Sequence, residues 1–99
     1  MLEHLTSASL AAQLNTKFRI EVEPGKTVEL ELVEVTDKGD VAGQVERFSA
    51  FFRGPLETFL PQRTYAMEHE GLGNVELFIV PVQRDNEGFY YEAVFSRVK

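Results

Sequence analysis

Val28-Glu29-Leu30-Glu31-Leu32 alternates apolar and charged side chains with a period of two. That period belongs to a β-strand with one face buried and one face wet. The rhythm extends in both directions. Upstream, Phe18, Ile20 and Val22 alternate with Arg19, Glu21 and Glu23, and Pro24-Gly25 turns the chain, so the two runs read as a β-hairpin. Downstream the phase slips at Leu32-Val33, and afterwards Val33 and Val35 carry the apolar positions. Such a slip sends buried side chains to the wrong face unless a bulge or sharp coil intervenes. Long strands that switch faces suit small barrels, where one strand serves both layers of a folded sheet.

Beyond the hairpin, Thr36 to Gln44 is polar with Gly39 and Gly43, and reads as a mobile loop. A third strand runs from about Arg47 to Arg53 and ends at Gly54-Pro55. Leu56 to Gln62, with proline at both ends, is expected to be irregular, with Phe59 and Leu60 tucked inward. Tyr65, Met67 and His69 alternate with Thr64, Ala66 and Glu68 in a fourth strand. Val75 to Gln83 and Phe89 to Arg97 are the fifth and sixth, separated by the turn Arg84 to Gly88. Pro81 lacks a donor and belongs at a solvent-facing rung or a bulge.

The fifth strand is apolar on both faces at Leu77-Phe78-Ile79-Val80, the mark of a strand covered on both sides. One face lines the barrel and the other needs a lid. A short helix over about residues 7–14 is the candidate. Thr6 is its N-cap, Leu5 and Leu10 have the spacing of a hydrophobic staple, and Asn15 suits the left-handed residue that ends it. Leu10 and Leu14 share one face, which is expected to cover the outer wall at residues 77–80. The fold expected is mainly β: an antiparallel six-stranded small barrel or strongly curled sheet with one short N-terminal helix, in a single domain over residues 1–99.

With 99 residues, 43% of them hydrophobic, the chain holds enough apolar material for one core without staples. It has no cysteine, which excludes disulfides, thiolate catalysis and sulfur-ligated zinc, and fits a cytoplasmic, reducing setting. Neither a signal peptide nor an apolar run approaching the roughly 20 residues of a membrane helix is visible. Sixteen acidic against ten basic side chains give a net charge of -6, which argues against binding to phosphate backbones. Nucleic-acid and membrane partners are not expected.

The motifs that resemble chemistry have plainer explanations. Glu68-His69-Glu70 splits across the two faces of a strand, so metal ligation needs the strand to end there. His4 is the only other histidine, in a segment expected to fray. Asp85-Asn86-Glu87-Gly88 and Asp37-Lys38-Gly39-Asp40 look like pieces of calcium loops but lack the spacing of an EF-hand, and turn chemistry accounts for both. The glutamates at 21, 23, 29, 31 and 34 are the wet face of the hairpin. No phosphate loop or nucleophile elbow is present. The chain therefore reads as non-enzymatic, without catalytic residues, metal or cofactor.

Surplus aromatics are a better clue. Phe51-Phe52 and Tyr90-Tyr91 are neighbours within strands, so one of each pair faces away from the barrel interior. Either the helix and the Leu56–Gln62 segment cover them, or they form a patch that binds a protein partner or a second copy of the chain, as in a homodimer. Phe51, Phe59 and Tyr90 are the candidate partner-binding residues. Stacking on single-stranded nucleic acid is the third reading, opposed by the acidic charge.

A set of segments, taken together, carries a resemblance. It comprises Leu30-Glu31-Leu32-Val33-Glu34-Val35, Phe52-Arg53-Gly54-Pro55, Leu60-Pro61-Gln62, Thr64-Tyr65, Glu68-His69, Leu72 to Val82, and Tyr91-Glu92-Ala93-Val94-Phe95. The chain resembles, over nearly its whole length, a family of small uncharacterised bacterial proteins catalogued as a domain of unknown function. Relatives in that family accompany genes for phage-tail-collar-like proteins, which implies an accessory or interaction role and supplies no catalytic residues. The family pattern also sets Arg53, Gly54 and Pro55 as a structural corner, where Arg53 is expected to bond nearby carbonyls or a carboxylate. The function expected is thus a protein-interaction or accessory module. The alternative is a small-molecule-binding barrel or small enzyme with a deep cavity beside Tyr65, Glu68 or His69.

Overall fold

The computed structural model describes residues 5–41, 43 and 45–98, and among these it has one helix and six strands. β1 (Lys17–Glu23) and β2 (Lys26–Val41) form the hairpin, with Phe18 opposite Leu30 and Ile20 opposite Val28. β3 (Val45–Gly54), β4 (Arg63–His69), β5 (Gly73–Asp85) and β6 (Gly88–Val98) complete an antiparallel ring in the order β1-β2-β3-β6-β5-β4, with β4 returning to β1. The alternation seen in the sequence becomes the inside and outside of this closed sheet. Phe18, Leu30, Leu32, Phe48, Phe52, Ile79 and Tyr91 are fully buried in its interior. Phe18 and Phe52 meet edge to face with centroids 5.1 Å apart, a geometry that aromatic quadrupoles favour.

The phase slip at Leu32-Val33 is a register shift between Leu32 and Glu34 against β3, the bulge that the barrel needs to turn its corner. Pro81 likewise stands at a shift between Pro81 and Gln83, where its missing donor costs no rung. The polar stretch from Thr36 is not a loop over its full length. β2 continues to Val41 and β3 begins at Val45, with a second register shift between Asp37 and Gly39. Asp37 Oδ1 accepts the Gly39 N–H at 2.9 Å, and Gly39 has φ 96°, so a bulge absorbs the polar residues that suggested a loop. Ala42 and Gln44, like His4, lie outside the described residues.

The helix is shorter than its spacing suggested and sits elsewhere. α1 spans Ser7–Ala11, with Thr6 accepting the Ser9 N–H and Ser9 accepting the Thr6 N–H in a capping box. Leu5 and Leu10 are buried, but Leu14 is exposed. Residues 12–15 form tight turns and Asn15 takes φ 70°. The cause is a pair of tethers to β2: the Asn15 N–H donates to the Leu32 carbonyl at 2.7 Å, and the Leu32 N–H to that of Thr16 at 3.1 Å. Ser7 Oγ also donates to Glu46 of β3 at 3.1 Å. So held, the helix packs on β2 and β3 and cannot cover the outer face of β5.

The irregular segment 55–62 joins β3 to β4 and lies against Phe89 and Tyr91 of β6. Leu60 is buried and its N–H donates to the Tyr91 hydroxyl at 3.0 Å. Phe59 is not tucked inward: it rests edge-on against Phe89 at 5.2 Å and stays 53% exposed. With Tyr91 and Leu60 already filling the interior there, the outer side of Phe89 is the space left for it.

Candidate functional site

Phe51 and Tyr90 lie on one surface, the outer face of β3 and β6. Phe51 stands opposite Glu92 and Arg53 opposite Tyr90, while their neighbours Phe52 and Tyr91 point into the core. Both candidates are half-buried. The Tyr90 hydroxyl donates to Asp85 Oδ2 at 3.0 Å. Phe59 belongs to the irregular segment 55–62 and is not brought together with them.

Arg53 reaches two carboxylates, Glu31 at 2.7 Å and Glu87 at 3.2 Å, so that β2, β3 and the β5–β6 turn share one guanidinium. Lys17 adds a looser contact to Glu31 at 3.6 Å. Gly54 is required behind it, because a Cβ there would lie 2.7 Å from Leu30 Cδ2 and 3.2 Å from Tyr91. A Cβ at Gly88 would overlap the Gly54 carbonyl oxygen. The corner therefore combines close backbone approach with mutually neutralised charge. A cleft of about 680 Å³ beside it is lined by both signs, including Lys17, Lys26, Glu31, Arg53, Glu57 and Glu87. Asp85 uses Oδ1 within its turn, accepting the N–H groups of Glu87 at 2.8 Å and Gly88 at 3.2 Å. Those bonds, the Glu87 N–H first, hold its carboxyl below the ordinary range.

His69 faces the core and Glu68 and Glu70 face water. Its Nδ1 accepts the N–H groups of Gly71 at 2.9 Å and Leu72 at 3.0 Å, which leaves the proton on Nε2. Nε2 lies 2.7 Å from Thr16 Oγ1, and that hydroxyl in turn donates to the Gln13 carbonyl at 2.6 Å. The Phe18 ring packs on the imidazole with centroids 4.3 Å apart. Burial lowers the His69 pKa from its ordinary 6.5, partly opposed by Glu70 and assisted by Arg19. The arrangement ties the β4–β5 turn to the loop before β1. Tyr65, also buried, donates its hydroxyl to the Pro61 carbonyl at 2.7 Å.

The surface that sequence reasoning did not place in water is the outer wall of β5 and β6. Phe78 is 50% exposed, Val82 47% and Val94 64%, with Val80 half-buried between the first two. Val80 is opposite Glu92, which is opposite Phe51, so one row of the sheet joins this wall to the first candidate. The signal was present in the sequence as the two-sided apolar run at 77–80. Leu77 and Ile79 take the inside and Phe78 and Val80 the outside, and no part of α1 stands over them.

The family model described as a domain of unknown function, DUF6916, matches residues 5–95, from the buried Leu5 to β6. The chain belongs to the DUF6916 family. No curated protein and no solved structure matches it. Among the described residues, no helix is long and apolar enough to cross a membrane.

Proposed function

We propose that this DUF6916 domain is a non-enzymatic interaction module, an accessory or assembly factor that binds another protein through the outer wall of β5 and β6. The observation that carries the reading is the uncovered apolar side chains there, Phe78, Val82 and Val94, on a barrel whose helix packs elsewhere. Exposed apolar surface marks interaction sites where it is contiguous, and Phe78, Val80 and Val82 stand at alternate positions of one strand. The net charge of -6 supports a protein partner over nucleic acid. A small-molecule or enzymatic role would need a chamber beside Tyr65, Glu68 or His69. Tyr65 and His69 instead make hydrogen bonds within the packed core, and Glu68 lines an open groove on the outer face of the sheet rather than an interior chamber. Bacterial origin, a cytoplasmic location and an accessory place beside phage-tail-collar-like proteins belong to the same proposal and stand on the resemblance alone.

The test is a Phe78→Ser/Val94→Ser double variant in pull-downs from the native host, together with mass measurement by light scattering after size exclusion. Loss of a specific partner, or of a dimer, with an unchanged melting temperature supports the reading. Wild-type protein that recovers no partner and stays monomeric counts against it.

A further inference from the structure

Between β1 and β4 the ring is barely closed. The strands share two rungs, Arg19 with Glu68 and Ile20 with Met67, whereas β4 pairs with β5 over its whole length, from Arg63 to His69. Continuing the register would set Glu21 opposite Ala66 and Val22 opposite Tyr65. β1 instead carries a bulge between Glu21 and Glu23, and a bulge bends its strand and ends pairing. Among the described residues, the edge of β4 from Arg63 to Ala66 that faces away from β5 has no strand beside it. Outside this seam lies a groove of about 1030 Å³. The small side chain of Ala66 leaves it open, with Arg19 and Glu21 on the β1 side and Glu76 and Phe78 on the β5 side.

Three properties define what fits. A strand edge with unpaired N–H and C=O groups is a template for an extended chain, which it binds through main-chain bonds whatever the sequence. The groove holds three carboxylates, Glu21, Glu68 and Glu76, against one guanidinium, Arg19, which is 3.7 Å from Glu68. Alternate side chains of an added strand would stand among those carboxylates, so basic residues there are favoured by charge complementarity. Phe78 gives an apolar flank that continues into the β5 wall. A second copy of this acidic chain, at -6, is the poorer match.

We propose that the β1–β4 seam takes up an extended, lysine- or arginine-bearing segment of a partner protein as an additional strand on the free edge of β4. This rests on the interaction-module reading and names the chemistry of the partner.

The experiment uses the isotope-labelled full chain and a nine-residue peptide of alternating lysine and valine as probe. Controls are the glutamate–valine peptide and two N-methylated lysine–valine peptides, one blocking each edge. The expected result is amide shifts concentrated at residues 19–23 and 63–68. Affinity should fall at least tenfold for the acidic peptide and for one N-methylated form. Glu68→Lys/Glu76→Lys should lose binding similarly with its melting temperature unchanged. Equal binding of both N-methylated peptides, or no shifts at the seam, overturns the proposal. Shifts confined to Phe51, Val82 and Val94 overturn it while leaving the interaction module standing.

Discussion

β2 and β5, the two longest strands, both cross the barrel with a break in register, yet their outer faces differ. On β2 the outward residues are glutamates, and the fold uses them: Glu31 meets Arg53 and Lys17, and Glu34 accepts from the Thr36 hydroxyl at 2.8 Å. On β5, beyond the exposed Glu76, they are Phe78, Val80 and Val82, and the described part of the chain leaves them largely uncovered. The inner faces are alike, Leu30 and Leu32 on one and Leu77 and Ile79 on the other, all buried. The core dictates the inside of a barrel strand everywhere, whereas the outside answers to whatever lies beyond it. An apolar outside with no internal neighbour is the surface that the proposed partner would cover.

That contrast can be broken most forcefully at the inner faces. Leu30→Ala and Leu77→Ala should each cost about 2–5 kcal/mol of unfolding free energy in chemical denaturation, because both leave a cavity in a close-packed interior. If Leu77→Ala is tolerated, the inner face of β5 is not core and the comparison fails. Gly54→Ala should cost about 1–3 kcal/mol, since its Cβ must displace Leu30 or Tyr91.

The His69 tie beside β5 gives a pH prediction. The fold favours neutral imidazole, so its contribution is fully present above the unfolded value near 6.5. As pH falls below 6.5 the unfolded chain takes up the proton first, and stability declines until the folded group is protonated as well. Melting temperatures measured from pH 7.5 downward should show that decline, and His69→Gln should flatten it. An identical slope in the variant would show that other groups carry the pH response.

Smaller effects sharpen the outer faces. Arg53→Ala should lower stability by only about 0.5–1 kcal/mol, and less at high salt, because its ion pairs are partly exposed. An unchanged melting temperature would move Arg53 from structure to interface. Phe78→Ser should change stability by no more than about 0.5 kcal/mol while affecting partner binding. A large loss of stability there would mean that the β5 wall serves the fold after all.

The strands were legible because a period of two is a local property, and the break at Leu32-Val33 because a slipped phase shows in the same rhythm. Thr6 and Pro81 announced their roles through capping and a missing donor, and Asn15 its left-handed backbone, although α1 ends at Ala11 and not at Asn15. The polar run from Thr36 misled because a bulge and a loop draw on the same residues. Matching apolar surfaces points the helix to the wrong wall, because the tethers from Asn15 and Thr16 to Leu32 govern where it docks. Phe59 and Leu60 are adjacent in sequence and opposite in exposure, which only the position of Tyr91 decides.

From the order of its residues alone, this protein had its strand count, its buried half and its antiparallel character, since alternation needs only the pleat to be read. Which wall stays wet, where the ring closes on two rungs, and what His69 and Arg53 touch came only from the tertiary structure. Those features depend on contacts between residues tens of positions apart, and no local period encodes them.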